Sequence, residues 1–150
     1  MKFRAQREGL AVAVICAAVL TKDTLVKLTA NKTVNKAGAD AIVIGRLVKP
    51  AREADGTGTV ETRFKERITI KADGAIAAGD RVKMAAADGD GIQRVKKWTA
   101  QSVLAPTTVD SDLVSPYVTD ADLTGDSPDL ILGVCFIGGA DGADVDVLTY

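Results

Sequence analysis

Thr59-Val60-Glu61-Thr62-Arg63-Phe64-Lys65-Glu66-Arg67-Ile68-Thr69-Ile70-Lys71 is the stretch that decides the fold class. Val60, Thr62, Phe64, Ile68 and Ile70 fall on one face, with Glu66 as the misfit, while the odd-numbered positions carry only hydroxyls and charges. Alternation of period two over this length is the pattern of one long, half-buried antiparallel strand. At about 3.3 Å per residue it reaches roughly 40 Å, so a bulge is expected near Glu66.

Shorter strands lie to either side. Thr24 to Thr29 and Arg81 to Met84 are apolar-rich segments after turns, and Asp144 to Thr149 alternates again and closes a sheet. Ala41 to Val48 and Leu130 to Ile137 are nearly continuous apolar runs, crossed by Gly45 and Gly133. They read as strands covered on both faces, with glycine easing a close backbone approach. Turn clusters separate the strands: Lys36 to Asp40, Ala54-Asp55-Gly56, Ala72-Asp73-Gly74, Ala78-Gly79-Asp80, Asp88 to Gly91 and Gly138 to Gly142. Helical periodicity is missing apart from room for one turn after Pro50. The expectation is a single all-β domain over residues 1–150, a small antiparallel barrel or sandwich.

The chain also repeats itself. Leu20 to Leu28 parallels Ile76 to Met84, and Ile42 to Leu47 parallels Leu130 to Cys135. Each half reads as a polar turn, a strand ending Val-Lys-aliphatic, then an apolar strand with its glycine. The second copy is interrupted by an insertion, residues 98–129, which holds the single tryptophan (Trp98), Pro106, Pro116, Pro128 and Tyr117, and no basic residue. Long inserts in compact domains are usually functional. This one is read as a partner-binding arm, beside an N-terminal arm over residues 1–8.

Charge is divided along the chain. Residues 1–97 hold all 19 Lys and Arg against 11 acids, +8; residues 98–150 hold nine Asp and no base, −9. Two readings stay open: docking against an oppositely charged surface, including another copy, or two solvated faces.

Composition narrows the chemistry. Histidine is absent, which removes the commonest general base near neutral pH and the commonest metal ligand. There is no Gly-x-Ser-x-Gly elbow, no Cys/His pair and no phosphate-binding glycine loop. No catalytic residue, cofactor or metal ligand is assigned, and the chain is read as a non-enzyme. Cys16 and Cys135 sit in apolar runs and read as buried, reduced thiols. Asp120 to Asp126 begins like a calcium loop, but its twelfth position is Ile131 where a bidentate glutamate belongs. Nucleic acid is not an expected partner, with a pI of about 5.4 and a basic strand face lacking interleaved aromatics. The apolar run Leu10 to Leu20 after a basic start imitates a signal peptide, but Val19-Leu20-Thr21-Lys22-Asp23 follows in place of a small-residue cleavage site. The run falls short of the roughly 20 residues that span a bilayer. It is read as a buried strand pair, with no membrane partner.

Arg7-Glu8-Gly9-Leu10, Asp23 to Leu28, Ala41 to Leu47, Ala75 to Val82, Ile131 to Val134 and Val145-Asp146-Val147, taken in order, cover most of residues 7–96 and 130–149. In that layout the chain resembles the small capsid decoration (cement) proteins of tailed bacteriophages. It departs from the family pattern at Lys22, where a glycine before Asp23 is preferred, and in its 98–129 insertion. The resemblance implies a non-catalytic protein on the outer surface of an assembled virion head, made in the host cytoplasm. Its partners would be the major capsid protein and itself, as a trimer more often than a dimer. Contacts are then expected from Lys2, Phe3, Arg4 and Arg7 of the N-terminal arm, from Arg63, Lys65 and Arg67 of the basic strand face, and from Trp98 and Tyr117 of the insertion. The alternative is a carbohydrate- or calcium-binding β surface module.

Overall fold

The computed structural model describes residues 10–62, 66–103 and 123–149. Within them the strands form two closed five-stranded barrels and a two-stranded ribbon. The first barrel contains β1 (Leu10–Cys16), β2 (Leu25–Ala30), β3 (Thr33–Lys36), β4 (Gly45–Lys49) and β5 (Gly56–Thr62), in the order β1-β3-β2-β4-β5. The second contains β6 (Arg67–Ala72), β7 (Arg81–Met84), β8 (Arg94–Lys97), β11 (Gly133–Ile137) and β12 (Asp144–Thr149), in the order β11-β12-β6-β8-β7. The ribbon, β9 (Ser102–Val103) with β10 (Leu123–Thr124), lies in the insertion. A 3-10 turn over Pro128–Leu130 leads from it into β11.

The all-β barrel class and the internal repeat are as the sequence indicated, and the repeat is complete: the second barrel reproduces the first strand for strand. β1 pairs β3 in parallel, as β6 pairs β8, and the remaining barrel pairs are antiparallel. Val26 lies opposite Gly45 as Val82 lies opposite Gly133. Both barrels also carry the same register shift, between Leu47 and Lys49 and between Cys135 and Ile137. The two glycines are required by packing. A Cβ at Gly45 would collide with the Glu61 carbonyl, and one at Gly133 with the Leu148 carbonyl.

The stretch Thr59 to Lys71 is not one strand. It supplies the end of β5 and most of β6, so it carries the chain from one barrel to the next. The alternation survives because even-numbered residues face inward in both strands: Val60 and Ala72 are fully buried, and Ile68 and Ile70 partly so. A period of two cannot distinguish one strand from two joined in phase. Glu66, the misfit, lies at the junction. Its carboxylate meets Arg46 of β4 at 2.7 Å, and its N–H donates to the Thr149 hydroxyl at 3.1 Å.

Three local readings change for physical reasons. Ala41 to Ile44 and Leu130 to Leu132 precede their strands, because β4 and β11 begin at the glycines. β11 is covered on one face only, since Phe136 and Ile137 at its bulged end are exposed. The run from Leu10 gives one strand and a turn, with Leu10, Val12, Ile15 and Val19 exposed. The turn before β2 places the position a glycine would fill at Asp23, one residue beyond Lys22. Asp23 itself takes the left-handed conformation (φ 67°) at the place where the second barrel has Gly79 (φ 90°). The two donate equivalent 2.8 Å bonds, to the carbonyls of Leu47 and Cys135. Aspartate tolerates that region better than most residues.

The cores are aliphatic. Cys16, Val26, Val34, Leu47 and Val60 fill the first barrel, and Val82, Met84, Val95, Cys135, Val145 and Val147 fill the second. Full burial of such side chains contributes about 1.5–3 kcal/mol each. Cys16 and Cys135 are free thiols in separate cores.

Candidate assembly surfaces

The base of the insertion is held by a dense set of bonds. As the chain leaves β8, the Trp98 N–H donates to the Arg81 carbonyl at 2.8 Å, holding Trp98 against β7. Its indole N–H donates to the Ser127 carbonyl at 3.0 Å, and the Arg81 guanidinium stands 5.6 Å from the ring centre. Asp126 closes the returning strand. Its N–H donates to the Thr99 carbonyl at 2.8 Å, and its carboxylate accepts the Thr99 N–H at 2.9 Å. Gly125 makes this approach possible, at φ 99° and tight against the Ala100 carbonyl. A side chain there would displace one stem of the insertion from the other.

Lys83 of β7 ties this stem to both barrels. Its ammonium bonds Asp126 and also lies 2.6 Å from Asp40, which belongs to the first barrel. The lysine side chain is 7% exposed and that of Asp126 16%, so their bond is largely shielded from water, whereas Asp40 reaches the lysine from a half-exposed position. Burial alone would lower the lysine, but the bonds from Asp126 and Asp40 outweigh it, and the ammonium is held above the ordinary range. Burial likewise acts to raise Asp126, yet the bonds from Lys83 and the Thr99 N–H hold it below the usual carboxylate value. Asp40 is lowered chiefly by its bond to Lys83. Asp126, the last acid of the calcium-like stretch, is thus already engaged by a cation.

A second surface lies on β6, β11 and β12. Arg67 bonds Asp146 across the ladder through Nε at 2.8 Å, and Asp146 also accepts the Thr69 hydroxyl at 2.7 Å. The Thr69 hydroxyl and then Arg67 hold Asp146 below the usual carboxylate range. Arg67 also stands 5.6 Å over the ring of Phe136, which is 54% exposed, with Leu148 exposed opposite Arg67. An arginine on an exposed aromatic beside aliphatic side chains has the composition of an interface centre.

Between the barrels is a cleft of about 440 Å³, with Arg46, Ile68, Ile70, Lys71 and Gln93 in its wall. Its two carboxylates, Asp144 and Asp23, face cations: Asp144 lies 3.0 Å from Lys71, and Asp23 3.8 Å from Arg46.

Of the contact residues expected from sequence, Trp98 belongs to the insertion stem and Arg67 to the β6 face, and no described contact joins the two. Lys2, Phe3, Arg4, Arg7, Arg63, Lys65 and Tyr117 lie outside the described residues, as do Asp120 and Asp122. Sequence reasoning missed Phe136, which follows buried Cys135 at the bulged end of β11, and Leu148, which lies between buried Val147 and Thr149 in β12. It also missed Lys83, whose signal was its recurrence in the Val-Lys-aliphatic repeat.

No family model matches the sequence, and no curated protein matches it. Among solved structures, the fold is similar to the crystal structure of head fiber gp8.5 N base in bacteriophage phi29. The TM-score is 0.53 at 12% identity, over 95% of this chain and 94% of that one. The likeness is therefore one of fold, and at that coverage it takes in both barrels.

Proposed function

We propose that this chain is a structural protein of a tailed-phage head. In this reading it binds the outer surface of the assembled shell through the major capsid protein, as a non-catalytic cement that stabilises contacts between capsomers. It acts as a homo-oligomer, a trimer before a dimer. The observation that carries the reading is the end-to-end likeness of fold to the base of a phage head fiber. The resemblance of the ordered sequence segments to decoration proteins supports it as well. The chemistry asked of such a protein is adhesion. Several weak contacts from one oligomer add through effective concentration, and preference for the expanded shell over other states makes binding a stabilising force.

Co-sedimentation with purified expanded and unexpanded heads tests the proposal, followed by heating of decorated and bare heads. Selective binding to expanded heads, with rupture moved to higher temperature, is the expected result. Binding without any change in rupture would point to a fiber-like attachment instead of a cement. Absence of binding to either form would sink the reading.

A further inference from the structure

The two barrels differ in what covers them. The second barrel's core is completed by Leu25, Ala37 and Ala41 of the first. Asp40, in the same segment, donates its N–H to the Met84 carbonyl at 3.2 Å and pairs with Lys83. Among the described residues, the first barrel's core contains only its own. Because the repeat is exact in register, the corresponding mouth of the first barrel can be located. Val26 matches Val82, so Lys27 matches Lys83 and Leu28 matches Met84. Cys16 opposite Val34 matches Ala72 opposite Val95, so Val12 matches Ile68. Met84 is fully buried, whereas Leu28 is 55% exposed and Val12 37%. Lys83 has two carboxylates, whereas Lys27 has no ion pair among the described residues.

The same correspondence identifies the surface that would fit. Leu25, Ala37 and Ala41 match Arg81, Trp98 and Asp129 of the second barrel. The Ala37 and Trp98 N–H groups donate to the Leu25 and Arg81 carbonyls respectively, which fixes the first two matches. The third follows from the alignment of Gly45 with Gly133. Asp129 is exposed, has no ion pair among the described residues, and lies one residue beyond the position equivalent to Asp40. We propose that the Arg81–Trp98–Asp129 edge of one copy docks on the Val12–Leu28 mouth of another, with Asp129 facing Lys27. The barrel-to-barrel contact within the chain is thereby continued between chains. Such a contact is head-to-tail, and closes into a ring or runs on as a filament according to the rotation per step. It is a property of the purified protein and does not depend on binding to a phage head.

Sedimentation of the full chain across a wide concentration range tests it, with Lys27→Glu, Asp129→Lys, the double exchange and Leu28→Asp. The wild type should self-associate. Either single charge reversal should weaken association by roughly tenfold, and the double exchange should recover most of the loss. Leu28→Asp should be monomeric with an unchanged far-ultraviolet spectrum; should it unfold, the exchange pair still decides. A monomeric wild type, single reversals that leave association unchanged, or a double exchange no better than either single would overturn the proposal. A monomeric wild type whose Leu28→Asp variant alone fails to bind heads would assign the mouth to the capsid protein. Association intact in a protein that ignores heads would leave this contact standing and remove the capsid reading.

Discussion

At the scale of single residues, Lys83 joins acids from two separate parts of the chain. It lies in a Val-Lys-aliphatic motif visible in the sequence, but its acids come from the first barrel and from the far end of the insertion, so only the folded topology brings them together. Replacing it by methionine leaves the largely buried Asp126 without its cation, while the half-exposed Asp40 keeps Lys96 at 3.6 Å, and a cost of about 1–2 kcal/mol is expected. The pH dependence follows from the directions of the shifts. Asp40 and Asp126 are lowered in the fold, so their contribution is complete above the ordinary value of 3.8 and is lost as acid titrates them below it. Lys83 is raised, so its contribution is complete below 10.5 and is lost only at more alkaline pH. Thermal unfolding of wild type and Lys83→Met should differ by a constant amount between those limits and converge in acid. A difference that persists below the carboxylate range would show that packing of the lysine stem, and not its charge, matters. Cys135 provides a simpler check. Burial, with Asp80 and Asp146 adding to it, pushes its thiol up, so it should resist thiol reagents until the protein unfolds.

At the scale of elements, the strands were legible and their grouping was not. The segments Arg81 to Met84 and Asp144 to Thr149 were readable at their observed bounds, because a turn cluster leads directly into each. Thr59 to Lys71 misled because the duplicated barrels are joined in phase, and alternation contains no mark of where one sheet ends. Exposure of Ile137 was hidden for a related reason: a bulge at the end of β11 turns out a side chain that regular alternation from buried Cys135 would place inward. The paired glycines show what the repeat requires. Gly45→Ala and Gly133→Ala each push a methyl into the carbonyl of the adjacent strand, and each should cost roughly 2–3 kcal/mol in denaturant unfolding. Gly38→Ala, where a Cβ meets nothing, should change stability little. Equal, small effects at all three positions would mean that the strands separate more readily than this packing allows.

At the scale of the molecule, charge separated along the chain is joined in space. Asp126, Asp144 and Asp146, from the wholly acidic C-terminal part, meet Lys83, Lys71 and Arg67 from the basic part. A division that suggested docking between copies therefore holds one chain together first. The same dependence runs through the cores. Leu25 is a residue of β2 in the first barrel, yet it packs in the second barrel's core. Its N–H donates to the Gln93 side-chain oxygen at 2.9 Å, and its carbonyl accepts the Gln93 amide N–H at 2.8 Å. Nothing in the alternation of β2 announces this, because inward is defined by the barrel a strand belongs to and not by the one beside it. If the chain unfolds as a single domain, Leu25→Ala should cost about 3 kcal/mol. Hydrogen exchange should then quicken in β7, β8 and β11 as much as in β2, since the lost side chain leaves its cavity among their residues. Quickening confined to β1 through β5 would show that the second barrel stands without the first, and that the chain is two domains joined at Glu66.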